Sequence, residues 1–210
     1  MQIDQFRQRI KEEKILNMSE KYDCKYAIID LKNPLPQREF KNVVEPDVEI
    51  KGLINCIGSI LIKPLHGTSI DEYNEVINTN LFSSFYLLST FAMRMKNGSA
   101  LFFSSVAASL GLSNHEVISA AKSGIEGFVR SAAATYSKDN LRINAIAPSI
   151  MDSNMSKKIL STEQAIEISK SMHPIPKIGT YNDILPVVRW LMSNDSDWVT
   201  GQTINIDGGL

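Results

Sequence analysis

The chain has 210 residues, and its 22 basic and 23 acidic side chains leave a formal net charge of −1 at pH 7. Neither sign gathers into long blocks, which argues against a nucleic-acid groove or an anionic-membrane patch, and no apolar run reaches the roughly 20 residues needed to span a bilayer. A chain of this length buries about 70 % of its unfolded surface around one core, so a single domain over residues 1–210 is expected.

Residues 2 to about 20 carry Ile3, Phe6, Ile10, Ile15 and Met18 at helical intervals among charges, which predicts an amphipathic helix. "KYAIIDL" (25–31) is a short apolar run of the buried-strand type. "KNPLPQREFKNVVEPD" holds three prolines and reads as an irregular connection with at most one helical turn. "KGLINCIG" (51–58) is a second buried strand.

A helix is expected from about Ile70, where Thr68, Ser69 and Asp71 offer N-caps, and a second through the apolar residues Leu81 to Met95. Asn97-Gly98 ends it, both residues tolerating the left-handed conformation. "SALFFSSV" (99–106) predicts a strand, residues 115–137 a helix and "LRINAIAP" (141–148) another strand. Polar helical segments follow at 153–171, then a helix at 181–193 opened by Asn182 and Asp183, and a last strand "TINID" (203–207) before Gly208-Gly209. Buried strands alternating with helices indicate an α/β fold with a doubly wound parallel sheet.

Cys24 and Cys56 lack the paired spacing of a zinc or redox site and read as reduced, packed residues of a cytoplasmic protein. No metal site is expected.

In such a sheet ligands bind beyond the carboxyl ends of the strands. Asn55 to Gly58, Ser104-Ser105 and Pro148-Ser149 each end a strand, and Lys122 joins them from the helix that leaves the serine strand. His66 and His173 lie in connecting segments and are assigned no catalytic role. Residues 149–180, which would shape a substrate pocket, suggest no chemistry of their own.

In order and spacing these segments resemble the short-chain dehydrogenases/reductases, from about Tyr26 to Leu210. "INCIG" is similar to that family's Asn-Asn-Ala-Gly strand end, "INTNLFSSF" to its asparagine helix, and "LFFSSVAA" to its catalytic-serine strand. "AAKSGIEGFVRSAAATYSKDNLRINAIAPS" is similar to its lysine helix and following strand, and "VTGQTINIDGGL" to its C-terminal signature.

The resemblance implies a Rossmann-like sheet and hydride transfer between NAD or NADP and an alcohol or carbonyl. Asn80, Ser105 and Lys122 would be catalytic, with Asn80 ordering a proton-relay water and Ser105 bonding the substrate oxygen. Asp30, Asn55, Gly58, Lys122 and Pro148 would contact the cofactor, Asp30 near the adenine. Pairing of the helices around 81–95 and 118–136 implies a homodimer or homotetramer.

The chain departs from the family in two places. The family mechanism needs a tyrosine four residues before the lysine, on the same helix face, where the ammonium lowers the phenol's pKa. That position is Ile118, and losing such a general acid costs on the order of 100- to 10,000-fold. The glycine-rich turn that lets a backbone approach the pyrophosphate is also missing, since the first glycine is Gly52.

Set against the family pattern, the first βαβ portion is absent, and "KYAIID" is expected to pair directly with "GLINCI". His115, three residues before Ile118, is a candidate substitute acid or else a helix-start residue. Three readings stay open: an NAD(P)-dependent oxidoreductase with altered catalysis, a non-catalytic binding or oligomer-forming relative, or a piece whose upstream residues would restore the glycine turn but not the tyrosine.

Overall fold

The computed structural model describes residues 33–210 and, before them, Asn17, Lys21, Asp23, Ala27, Asp30 and Leu31. The chain divides into two compact units, Met1–Leu35 and Pro36–Leu210. In the first, Asn17 and Lys21 are helical, and exposed Asp30 accepts a hydrogen bond from Asn33 at 3.4 Å. The helix expected over 2–20 and the strand expected over 25–31 fall largely outside the described residues, as does the pairing of that strand.

The second unit opens with α1 (Gln37–Phe40), which runs on into a 3-10 turn (Lys41–Val43), more helix than the one turn at most expected among the prolines. A four-stranded parallel sheet follows in the order β1 (Gly52–Asn55), β2 (Ser99–Phe103), β3 (Arg142–Pro148), β4 (Thr203–Ile206). Register is set by Asn55 opposite Phe102, Phe103 opposite Ile146 and Pro148 opposite Ile206, which brings the carboxyl ends of the strands to one edge.

Between the strands run α2 (Ile70–Ile77), α3 (Ser83–Phe91), α4 (Glu116–Tyr136), α5 (Glu163–Ser171) and α6 (Tyr181–Met192). Leu101 of β2 packs with Ile184 and Leu191 of α6. Its neighbour Phe102 meets Phe128 of α4 edge-on, the ring centroids 5.7 Å apart. Successive strand side chains point to opposite faces, so α4 covers one face of the sheet and α6 the other. This double cover makes the strands continuous apolar runs.

Of the three caps offered at the start of α2, Ser69 is the one used: its hydroxyl accepts from Glu72 N–H and the Glu72 carboxylate accepts from Ser69 N–H. The two helices expected over 70–95 are one continuous run, because α2 passes through a π-helical turn (Asn78–Phe82) into α3. The carbonyls that this turn loosens are taken up by side chains, Ser83 donating to Thr79 O at 2.7 Å and Ser84 to Asn80 O at 3.0 Å. Asn97 is left-handed at φ 53°, as expected for the residue that stops the run.

Three boundaries differ from expectation. The strand expected over 51–58 leaves the ladder after Asn55, whose side-chain oxygen accepts from Ile57 N–H at 3.0 Å. Cys56, expected to be packed, is free and exposed for that reason. Helix is confined to Glu163–Ser171 within 153–171, because Ser153 and Ser156 bond one another and the local backbone. The last long helix is opened by Thr180 rather than Asn182, with the Asp183 carboxylate accepting from Thr180 N–H at 2.8 Å.

Among the described residues no helix is long and apolar enough to cross a membrane.

Candidate functional site

The edge at the carboxyl ends of the strands gathers most of the expected residues. Lys122 lies in the middle of α4, 8 % exposed, and donates to the Phe103 carbonyl at 2.8 Å. Burial pushes its ammonium down to a pKa of about 8, since desolvation disfavours the charged form. Gly58 comes close to it: a methyl group there would sit 3.6 Å from Lys122 Nζ and 3.2 Å from Asn80 Oδ1.

Asn80 is fully buried in the π-helical turn. Its amide donates to Val76 O at 2.9 Å and to Ser59 Oγ at 3.1 Å, and its oxygen accepts from Ser59 N–H at 3.3 Å. Asn55 is also buried, its amide donating to Ser83 Oγ at 3.2 Å and Ser84 Oγ at 3.0 Å. One network therefore runs from the end of β1 through two hydroxyls to the π turn and back to the loop at Ser59.

The serine pair divides its work. Ser104 is buried and donates to Glu126 Oε1 at 2.7 Å. Ser105 starts a 3-10 turn and accepts from Ala107 N–H at 3.2 Å, which leaves its own hydroxyl proton for another partner. Pro148 ends β3, half-buried.

Ile118 occupies the turn before Lys122 and is 3 % exposed, packed into an apolar cluster with Val76, Val117 and Ala121. His115 sits at the start of α4 without capping it, its Nδ1 held 2.7 Å from Ser113 O. Asp30 belongs to the first unit.

The loop after β3 holds a pair that spacing did not reveal. Ser149 Oγ lies 2.7 Å from His173 Nε2, and His173 Nδ1 lies 2.7 Å from Ser169 O. The two residues are separated by 24 positions and by α5, so no local sequence signal links them. Among the described residues, no cluster of His, Cys, Asp and Glu groups could hold a metal ion.

The family described as enoyl-(acyl carrier protein) reductase matches residues 6–210. The chain belongs to the short-chain dehydrogenase/reductase family. Its relatives within that family include the 3-oxoacyl-(acyl-carrier-protein) reductase of Buchnera aphidicola, 32 % identical over 174 residues that make up 81 % of this chain and 69 % of the relative. A chloroplastic tropinone reductase homologue of Arabidopsis thaliana is 32 % identical over 161 residues, 75 % of this chain. The chain spans 50 % of that relative's length.

Among solved structures, a 4-hydroxyisoleucine dehydrogenase complexed with NADH superposes with a TM-score of 0.82 at 26 % identity, covering 89 % of this chain and 79 % of the other. ElxO with NADP bound gives 0.83 at 24 % identity, with 94 % and 83 % covered, a likeness of fold. Short-chain dehydrogenases/reductases are oxidoreductases whose cofactor is NAD or NADP.

Proposed function

We propose that this short-chain dehydrogenase/reductase is an NAD(P)-linked oxidoreductase by descent whose proton delivery is disabled, so that it does not reduce carbonyls at the usual rate. The observation that carries this reading is Ile118, an aliphatic side chain 3 % exposed and embedded among Val76, Val117 and Ala121. A hydrocarbon there cannot give a proton to the oxygen that becomes an alkoxide, nor stabilise its charge.

The residues present fit the nicotinamide-ribose end of the cofactor. Gly58 has no side chain to crowd Lys122 Nζ, and among the described residues the ammonium spends one of its three donors, on Phe103 O. Lys122 would hold the ribose hydroxyls, Asn55 and Pro148 would shape the adjoining strand ends, and Ser105 would offer its free hydroxyl proton to the substrate oxygen. Asn80 would act through its remaining oxygen lone pair, because both of its amide protons are committed. A bound dinucleotide would supply the hydride.

His115, with Nδ1 held by the Ser113 carbonyl, would have to serve as substitute acid through Nε2. A non-catalytic binding role is favoured by the closed network of Asn55, Ser83, Ser84 and Asn80, which serves the fold without a ligand. The chain is further proposed to be cytoplasmic and to form a homodimer or homotetramer through α3 and α4, where Phe85 stands 48 % exposed.

Titration of the chain with NADH and NADPH, followed by carbonyl-dependent oxidation of each, tests the reading. Binding without turnover supports the disabled oxidoreductase, absence of both supports the non-catalytic role, and brisk turnover refutes both.

A further inference from the structure

We propose that Ser149 and His173 form a nucleophile and base pair that accepts acyl or phosphonyl groups from activated esters, a covalent site separate from Lys122 and Ser105. Ser149 follows the last residue of β3, at the carboxyl edge of the sheet, and is partly exposed. Its Oγ lies 2.7 Å from His173 Nε2. The imidazole is 6 % exposed and its other nitrogen faces the Ser169 carbonyl at 2.7 Å.

A carbonyl only accepts, so Nδ1 carries the proton and donates to Ser169 O. Nε2 then presents its lone pair to Ser149, which donates its hydroxyl proton to it. Nucleophile, base and an orienting acceptor are thus connected in the order that activates a serine. The backbone beside the histidine is tied to the C-terminal segment: Ile175 N–H donates to Gly208 O at 2.9 Å, and a methyl group on Gly208 would sit 3.6 Å from His173 Cβ.

An acyl acceptor also needs donors for the oxyanion. Among the described residues, Ile150 N–H and Met151 N–H have no acceptor, whereas Ser149 N–H is engaged by Ile206 O at 3.2 Å. The amide that follows the nucleophile is a usual oxyanion donor. From Asp152 the same loop runs on into the wall of a cavity of about 320 Å³ that also includes Ser156, Leu160 and Ile178; Ser149 and His173 are not part of its lining.

In the step, Ser149 Oγ forms a bond to the ester carbonyl carbon as its proton passes to His173 Nε2. The carbon–oxygen bond to the leaving group then breaks, and that alcohol departs with the proton, leaving acyl-Ser149 and neutral His173. With a fluorophosphonate the bond forms to phosphorus, fluoride leaves, and the serine proton passes from His173 Nε2 to solvent water.

The test treats the full chain with an alkyl fluorophosphonate and, separately, with 4-nitrophenyl butyrate, reading adducts by intact mass and peptide mapping. The expected result is one adduct per chain on Ser149, absent in Ser149→Ala and formed about 100-fold more slowly in His173→Gln. Protein unfolded in urea keeps the serine and loses the pair, so it is expected to remain unlabelled, which holds even should His173→Gln fold poorly. No adduct, an adduct on another residue, equal labelling in urea, or an unchanged rate in folded His173→Gln would each overturn the proposal.

Discussion

Lys122 donates to the carbonyl oxygen of Phe103 at 2.8 Å, tying the middle of α4 to the last residue of β2. The bond holds an ammonium at the edge of the core, and burial brings its pKa to about 8 from an ordinary 10.5. Below about pH 8 the folded and unfolded chains both keep this proton, and the cost of burying the charge is constant. Between 8 and 10.5 the unfolded chain holds a proton that the folded chain has released, so this lysine makes stability rise with pH across that window.

Denaturant unfolding of the parent and Lys122→Met at several pH values isolates this contribution. The parent is expected to gain on the variant between pH 8 and 10.5, and a difference independent of pH would contradict the buried position.

Ile118→Tyr restores a phenol four residues before Lys122. The added ring must enter a cluster already filled by Val76, Val117 and Ala121, so a stability loss of about 1–3 kcal/mol is expected. Carbonyl reduction is expected to rise by about 100-fold or more over the parent. Steady-state NADH and NADPH oxidation by both proteins measures this, and equal rates would show that the proton donor is not what limits turnover.

Asn80→Ala removes the side chain that satisfies Ser59 N–H and receives support from Val76 O. Buried groups left unpaired cost about 1–3 kcal/mol, a fall in Tm of roughly 2–4 °C for each kcal/mol in a chain of this size. Thermal unfolding checks the expectation. A variant as stable as the parent would mean that the π turn does not depend on this amide.

Arg142 anchors the start of β3 to the end of α6, its guanidinium donating to Leu191 O at 3.0 Å, Ser193 O at 2.9 Å and Ser196 Oγ at 2.7 Å. Arg142→Met keeps the apolar stem and loses all three bonds. Leu191 O keeps Ser99 Oγ at 2.8 Å and Ser193 O keeps Ser196 Oγ at 3.3 Å, so the destabilisation of about 1–3 kcal/mol expected comes from the lost charge-assisted bonds, read as a lower denaturation midpoint at unchanged slope.

Much of this architecture was legible because its causes are local. Thr68, Ser69 and Asp71 mark a helix start, of which the structure uses Ser69, Asn97-Gly98 marks a stop, and the short apolar runs around Leu101 and Ile143 between such signals read as buried strands. The family order then placed Lys122, Gly58 and Asn80 on one edge, where Gly58 does approach the other two. The π turn was not legible, since Asn78–Phe82 differs from an α-helix in its backbone bonding, Ser83 N–H reaching back five residues to Asn78 O. Nor was the Ser149–His173 pair, because nothing short of the folded loop brings those side chains together. The end of β1 was misread because Asn55 spends its oxygen on Ile57 N–H and turns the chain out of the ladder.

Ile118 stands where the family mechanism needs a phenol as general acid, and the most direct measurement of that loss is the absorbance decay of NADH and of NADPH with the parent chain and a broad set of ketones, aldehydes and 3-oxoacyl thioesters. With turnover of about 10 s⁻¹ as an ordinary enzyme rate, loss of the acid predicts about 0.1 s⁻¹ or less for every pairing. A rate of about 1 s⁻¹ or more on any substrate would contradict it.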